Sequence, residues 1–266
     1  MGPNDKKFEN VTSPAFSKEQ AESFFQMKGA DIYACLADAQ MCGAAYLAAV
    51  QYSPDDKTAL RRMHALWNNM PARFRMTCFS SVYAQKKGDS VEISNALLMA
   101  IKRKNKRAIE WLCEKGADVN VRDEMGNTAF MRLLQTFRVP DQVLSSSKTD
   151  VLSDELFSLF VRSKPDVKAV NNNGETTLMA AALNPRVMMF LMRRGVSGTA
   201  VSKTGQTVID FWDRYAREVP DESIVKAAWT FIQKHIEGQL TPCRLKKHPL
   251  YGCRVNFYQE GKERID

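Results

Sequence analysis

A tripeptide of the form Gly-x-Thr recurs three times, and this recurrence limits the fold more than any other feature of the sequence. The copies lie at residues 126–128, 174–176 and 205–207, so that successive glycines are 48 and 31 residues apart. Glycine can adopt positive φ in a tight turn, and a threonine hydroxyl can accept hydrogen bonds from amides at a helix N-terminus. Each copy therefore predicts a turn that leads into a helix, and the series predicts an array of similar units.

The longest uninterrupted signature comes just before the first copy, at residues 95–123, which read NALLMAIKRKNKRAIEWLCEKGADVNVRD. This stretch resembles the ankyrin repeat, a unit of about 33 residues with the pattern T-P-L-H-x-A, a second helix and G-A-D-V-N. In that register Leu97 packs the first helix, and Ile109 and Leu112 lie on the buried side of the second. Residues 116–120 form the turn that leads into the next hairpin finger.

The downstream copies diverge further from the pattern. Residues 177–182 read TLMAAA, close to T-P-L-H-x-A-A, whereas 208–212 read VIDFW, a degenerate copy that suits a terminal repeat. The second copy has a surplus between Phe137 and Asp154, which we expect to be an extended connection between two helices. In the third copy the loop between the two helices is two residues shorter than in the family pattern, near Asn184. The pattern T-P-L-H ends in a histidine. In the four copies of this sequence that position holds Leu98, Met131, Met179 and Asp210 instead. We therefore expect a less regular stack than usual.

The resemblance implies an all-α fold, an ankyrin-repeat solenoid of about four helix-turn-helix units with an N-terminal helical cap or small helical domain. The predicted domains are residues 1–90 for this helical part and 91–238 for the divergent repeats. Residues 239–266 form a basic tail that packs on the last repeat or extends from it. Solenoids need polar outer faces at their ends, which favours the cap over an independent domain.

Four helices are predicted in the N-terminal part. The first, at about 17–29, begins with a capping box formed by Ser17 and Gln20. The second covers 33–52, and the third runs from Pro54 at its first helical position to about Met70. Residues 74–83 are predicted to form the fourth, and residues 86–89 mark the boundary.

Partners of ankyrin repeats commonly bind the fingertips and the concave face of the first helices, and the resemblance carries these positions onto this sequence. The fingertip candidates are Arg122, Asp123, Glu124, Met125, Asn127, Asn172, Asn173, Glu175, Lys203, Thr204 and Gln206. The candidates expected to be exposed on the first helices are Leu98, Met99, Lys102, Met131, Arg132, Gln135, Met179, Ala180 and Leu183. The function implied is a non-enzymatic adaptor that binds a protein partner and needs no cofactor.

Large apolar side chains recur at helical spacing within the repeats. They could be read as an aromatic ligand site, but such periodicity is the usual mark of a buried face. We therefore predict a core role for Trp111, Phe157, Phe160 and Phe190.

The protein is basic, with a formal net charge of +8 and a pI near 9.2. The positive residues concentrate at 102–107, at 193–194 and in the tail. In the ankyrin register the first cluster lies at the exposed turn between two helices, so a solvated surface is the favoured interpretation. A basic surface for a phosphoinositide or RNA is the alternative.

Six cysteines are spread without C-x-x-C spacing, which favours reduced thiols in a cytosol-like compartment. Cys243, His248 and Cys253 could begin a zinc site, but a structural site needs four ligands, so no metal is predicted. The enzymatic alternative places activity in the N-terminal helical region, with the repeats selecting the substrate. Its nucleophile would be a thiol paired with His64, drawn from Cys35, Cys42 and Cys78.

Targeting signals are weak. The N-terminus lacks the apolar core of a secretory signal, and the apolar run at 34–49 is too short and polar to span a bilayer. Irregular ankyrin arrays with an unrelated helical flank also resemble intracellular bacterial effectors, and the mixed-charge ending at 259–264 is compatible with a C-terminal export signal. The expected location is therefore cytoplasmic, either in the producing cell or in a host cytosol.

Overall fold

The structure is a computed structural model that describes residues 11–12, 16–27, 32, 35–36, 38–75, 77–87, 90–137, 152–216, 229–230 and 232–233. As predicted, it is mostly helical. The protein divides into two compact units. The first holds Met1–Arg132 with Ser163–Pro165, and the second holds Leu133–Arg162 with Asp166–Asp266.

The first unit contains five helices, a short 3-10 helix and three strands among its described residues. In sequence order these are β1 Val11–Thr12, α1 Lys18–Gln26, α2 Ala39–Gln51, α3 Asp56–Asn69, the 3-10 helix Ala72–Phe74, β2 Val82–Lys87, β3 Ser90–Ser94, α4 Ala96–Lys102 and α5 Lys106–Glu114. Helix α6, Ala129–Thr136, contains the boundary between the units. Helix α2 is the centre of this unit: it packs on α1, α3 and α4, and it is buried from Cys42 to Val50.

Polar side chains cap these helices and set where they start. Ser17 forms the predicted capping box with Gln20. Asp38 and Asp55 each accept a hydrogen bond from the amide three residues later, so α2 begins after residue 38 and α3 after residue 55. Pro54 therefore precedes the cap of α3, and the prediction that it begins the helix is wrong.

The predicted fourth helix at 74–83 is also wrong, because this part of the sequence enters a sheet. Strand β2 pairs antiparallel with β3, from Tyr83 opposite Ser94 to Lys87 opposite Ser90, and β1 pairs parallel with β2. The strands contain β-branched and aromatic residues, which suit a pleated surface. The Tyr83 hydroxyl also donates to the Gln40 carbonyl over 2.5 Å, which fixes β2 against the start of α2.

Four further helices with described bounds lie in the second unit. These are α7 Asp154–Arg162, α8 Thr177–Ala180, α9 Pro185–Arg193 and α10 Val208–Ala216. Helix α8 packs on both α9 and α10, so the short first helix of one repeat contacts its own second helix and the first helix of the next repeat. Beyond α10, Trp229 is buried against Trp212 with ring centroids 4.9 Å apart, and its Nε1 donates to the Ala182 carbonyl over 2.8 Å. The predicted extended connection and the C-terminal tail lie outside the described residues.

Glycine ends two helices as the repeat pattern predicts. Gly116 follows α5 with φ +85°, and Gly195 follows α9 with φ +77°. The next amide closes each turn: Ala117 donates to Leu112 and Val196 to Leu191. The predicted core residues Trp111, Phe157 and Phe160 are buried, and Phe190 is half-buried with its ring 5.3 Å from that of Phe157.

Candidate functional site

Three hairpin fingers carry the Gly-x-Thr copies: finger 1 at residues 120–128, finger 2 at 168–176 and finger 3 at 199–207. In finger 1 the Asp123 amide donates to the Asn127 carbonyl over 3.0 Å, and the Gly126 amide donates to the Asp123 carbonyl over 2.9 Å. The Asp123 carboxylate closes the turn from inside, because its Oδ1 accepts from the amides of Met125 at 3.0 Å and Asn127 at 2.8 Å.

Fingers 2 and 3 repeat the same hydrogen-bond scheme with different side chains. Oδ1 of Asn171 accepts from the amides of Asn173 and Glu175, each at 2.9 Å. In finger 3 the Ser202 hydroxyl accepts from the Gln206 amide at 3.1 Å. Each turn places its glycine near φ +77°, a conformation that other residues adopt only with strain. The backbone of every finger is therefore fixed from within.

The threonines after these glycines act as predicted in fingers 1 and 2. Thr128 Oγ1 accepts from the Met131 amide at 3.2 Å, and Thr176 Oγ1 accepts from the Met179 amide at 3.3 Å. Finger 3 differs, because both the amide and the hydroxyl of Thr207 donate to the Asp210 carboxylate at 2.6 and 2.7 Å. These hydrogen bonds lower the pKa of Asp210.

The charged candidates of finger 1 interact within the first unit. Arg132 forms an ion pair with Asp123 and lies 3.8 Å from Glu124. Glu124 also accepts a hydrogen bond from the Ile93 amide of β3 at 3.1 Å, and Arg122 donates to the Gly126 carbonyl at 2.7 Å. These ion pairs and hydrogen bonds therefore stabilise the conformation of finger 1.

The candidates of finger 1 differ in how much of each side chain is exposed to solvent. Asp123 and Asn127 are only 8% and 3% exposed, whereas Met125 is 41% exposed. Asp123 and Asn127 are thus positioned to support the turn from inside. Met125 is the candidate of this finger with the most accessible apolar surface.

Fingers 2 and 3, both in the second unit, present more accessible side chains. Lys203 and Thr204 are exposed, and the remaining candidates are half-buried: Asn172, Asn173, Glu175 and Gln206. The Lys203 amide donates to the Asn173 carbonyl over 2.8 Å, which joins the two fingertips. These six candidates therefore lie on one continuous edge.

Two exposed valines on this edge were not among the predicted candidates. Val170 is 45% exposed and Val201 is 58% exposed. In the repeat register both align with Arg122, which was a candidate. Comparison of the three fingers position by position could therefore have identified them.

Four candidates on the first helices are buried, which contradicts their expected exposure. Met131 and Met179 are 0% and 2% exposed, and Leu98 and Met99 are each 6% exposed. Unbranched thioether side chains adapt to irregular gaps between helices, so methionine at these positions fills the core. Gln135 is exposed, whereas Ala180 and Leu183 are half-buried.

Two residues of the basic cluster at 102–107 have partners inside the first unit. Lys102 forms an ion pair with Glu92 of β3. The Arg103 guanidinium donates to the carbonyls of Gln51 and Ser53, at the end of α2 and just beyond it. The positive charge that this cluster presents to an external ligand is correspondingly smaller.

The thiols offer little support for a nucleophile. Burial raises the pKa of Cys42 to about 11 and those of Cys78 and Cys113 to about 12, so these thiols are protonated near neutral pH. His64 is exposed, with its ring 5.5 Å from that of Trp111. The zinc alternative concerns residues outside the described part of the protein. Among the described residues, no His, Cys, Asp and Glu side chains group as a metal site.

The described helices are all too short or too polar to cross a membrane.

Known proteins show the same repeat. The family model of the ankyrin repeat matches residues 94–124. A fowlpox virus (strain NVSL) protein named as a putative ankyrin repeat protein, FPV228, is 33% identical over 91 residues. The alignment covers 33% of this chain and 17% of the viral protein, so only a small part of that relative is matched. With the helix pairs and the three internally bonded fingers, these matches support an ankyrin-repeat protein, and the family model itself identifies one ankyrin repeat, at residues 94–124.

Proposed function

We propose that the protein is a non-enzymatic adaptor that binds a protein partner along the edge formed by fingers 2 and 3. Ankyrin repeats support a role in protein–protein interaction in general. The observation that carries the specific proposal is the exposure of side chains on a fixed backbone. Val170 and Val201 are about half exposed, and Lys203 and Thr204 lie beside them.

This arrangement suits binding for a physical reason. Hydrogen bonds within each finger and between Asn173 and Lys203 hold the backbone in one conformation before a partner arrives. Less conformational entropy is then lost on association. The valines supply apolar contact area, while Asn173 and Lys203 supply hydrogen-bond donors and acceptors that determine orientation.

Affinity capture with matched variants tests this proposal. Val201→Asp combined with Lys203→Glu should abolish recovery of bound proteins, because the first change places a charge in the apolar contact and the second reverses a charge. Arg186→Glu is the control, since Arg186 is also exposed but lies on helix α9. Equal recovery with the finger variant and the wild type would contradict binding at this edge.

The other interpretations have less support. An enzyme in the N-terminal region would need a thiolate, and burial keeps Cys42 and Cys78 protonated near neutral pH, which leaves the half-buried Cys35 as its candidate nucleophile. A basic surface for phosphoinositide or RNA would rely on residues 102–107, where Lys102 and Arg103 already have partners. Action as an effector in a host cytosol extends the adaptor proposal and rests on the sequence resemblance alone. Identification of a host protein as the captured partner would support it.

A further inference from the structure

A pocket of about 540 Å³ lies in the first unit, between helix α1 and the corner that joins α2 to α3. Its volume is within the range of small-molecule and peptide-group sites. One face of α1 forms one wall, because its lining residues recur at helical spacing. The lining residues used below are Lys18, Glu22, Phe25, Tyr52, Ser53 and Arg62. All of them lie far in sequence from the fingers.

Arg62 is held in a defined orientation inside this pocket. Its guanidinium stacks over the Phe25 ring with the central carbon 4.4 Å from the ring centroid. Its Nη1 donates to the Tyr52 carbonyl at 3.3 Å and to the Ser53 hydroxyl at 3.1 Å. The other guanidinium nitrogens have no hydrogen-bond partner among the described residues. The remaining N–H groups of this planar guanidinium are suited to paired hydrogen bonds with a carboxylate or phosphate.

The charges around the pocket favour a ligand with one negative charge. Lys18 and Arg62 are positive and Glu22 is negative, and the Lys18–Glu22 pair is exposed with 4.0 Å between its charged atoms. Burial lowers the pKa of Arg62, neighbouring Arg61 adds a smaller lowering, and Glu22 opposes both. One carboxylate neutralises the resulting net charge of +1, whereas a phosphate group, which carries nearly two charges at neutral pH, would leave an excess of negative charge beside Glu22.

We propose that this pocket binds the carboxylate of a peptide, with Arg62 as the bidentate ligand and Lys18 as a second cation at the rim. Phe25 contacts the apolar part of the peptide next to its carboxylate. The pocket belongs to the first unit and fingers 2 and 3 belong to the second, so this site shares no residue with the proposed finger edge.

NMR titration of the 266-residue chain tests the site with N-acetylglycine, a minimal mimic of a peptide's C-terminal carboxylate, at constant ionic strength. We expect saturable shifts of the backbone amides of Tyr52 and Ser53. N-acetylglycinamide, which lacks the charge, should produce none, and inorganic phosphate should bind more weakly. Arg62→Gln should weaken binding by about tenfold or more, as expected when hydrogen bonds to a charged group are lost. Arg61→Gln changes the adjacent exposed arginine and should leave the Kd within about twofold.

Lys18→Glu provides a second variant on an exposed helix face, so its result does not depend on the structural hydrogen bonds of Arg62. It should also weaken binding several-fold. The proposal is overturned if Arg61→Gln and Arg62→Gln weaken binding equally, because the anion would then respond only to net charge. Tighter binding of phosphate than of N-acetylglycine, or equal shifts with the amide, would overturn it as well.

Discussion

Two glycines with nearly the same backbone conformation occupy different surroundings. Gly174 and Gly205 have φ of +77° and +78° at the same position of fingers 2 and 3. A Cβ on Gly174 would lie 2.9 Å from the Lys203 amide nitrogen, whereas a Cβ on Gly205 would meet nothing within 4 Å. Positive φ alone thus explains glycine at 205. At 174 glycine also lets the two fingertips approach each other.

Alanine at these two positions separates the cost of the conformation from the cost of the contact. Gly205→Ala should lower the free energy of unfolding by about 1–2 kcal/mol, because only the left-handed conformation is strained. Gly174→Ala should lower it further, since the Asn173–Lys203 hydrogen bond must lengthen to admit the methyl group. Urea unfolding of both variants measures the difference. Equal losses would show that the contact between fingertips contributes nothing.

Buried thiols make the stability of the first unit depend on alkaline pH. Burial raises the pKa of Cys113 from 9.0 to about 12, so the unfolded state loses this proton first as the pH rises. The contribution is fully present below about pH 9 and declines towards pH 12. The free energy of unfolding in urea should therefore fall between about pH 9 and 12. Cys113→Ala should flatten this decline, and an unchanged slope would contradict the assignment.

Elements in the first unit are joined by a residue of the basic cluster at 102–107, for which the sequence favours a solvated surface, with a ligand surface as the alternative. The turn between α4 and α5 carries Arg103, whose guanidinium donates to two carbonyls at the end of α2 and just beyond it. Carbonyls in the last turn of a helix lack partners within the helix, so a cation there satisfies them and complements the helix dipole. This residue therefore attaches the first repeat to the N-terminal helices.

Arg103→Ala should lower the free energy of unfolding by about 1–3 kcal/mol, the cost of leaving such groups without a charged partner. Arg107 is the matched control, because it belongs to the same cluster and is exposed. Arg107→Ala should change stability by less than about 0.5 kcal/mol. Urea unfolding curves of the two variants, recorded in the same buffer, provide the comparison. Similar effects of both changes would mean that the hydrogen bonds of Arg103 are not stabilising.

The sequence predicted elements where local chemistry determines them. Ser17 and Gln20 form the expected capping box, and the glycine and threonine of finger 1 form the expected turn and cap. The strand at 82–87 was not predicted, although its antiparallel partner at 90–94 is close in sequence. The anchor of Tyr83 on Gln40, in contrast, depends on a distant segment, which local chemistry does not specify. The exposure of Met131 and Met179 was misjudged for a similar reason. Packing around a methionine depends on neighbouring helices, which one repeat's pattern does not specify.

At the scale of the whole molecule, the first unit includes both the N-terminal helices and the first repeat. Trp111 of α5 lies in the aromatic cluster that joins them, with its ring 5.8 Å from Tyr46 of α2 and 5.7 Å from Trp67 of α3. Large aromatic side chains contribute much of the apolar area buried in a core. We therefore propose that the N-terminal part is a cap that folds together with the first repeat.

Gly43 of α2 provides a way to test the cap in the intact protein. A Cβ at this position would overlap both the Cys78 carbonyl oxygen and the Tyr83 hydroxyl. Alanine improves helix propensity by about 1 kcal/mol, but overpacking against a backbone carbonyl costs about 1–3 kcal/mol. We expect Gly43→Ala to destabilise the first unit, whereas Met41→Ala, at an exposed position of the same helix, should have little effect.

Hydrogen exchange shows how far that destabilisation spreads. If the cap and the first repeat unfold together, Gly43→Ala should lower the opening free energy of amides in α2 and in α5 by the same amount. The aromatic cluster requires this result, because Trp111 loses Tyr46 as a neighbour whenever α2 opens. Faster exchange in α2 with unchanged exchange in α5 would instead identify the N-terminal helices as a separate domain. The comparison uses the same 266-residue chain throughout, so a difference between α2 and α5 cannot arise from truncation.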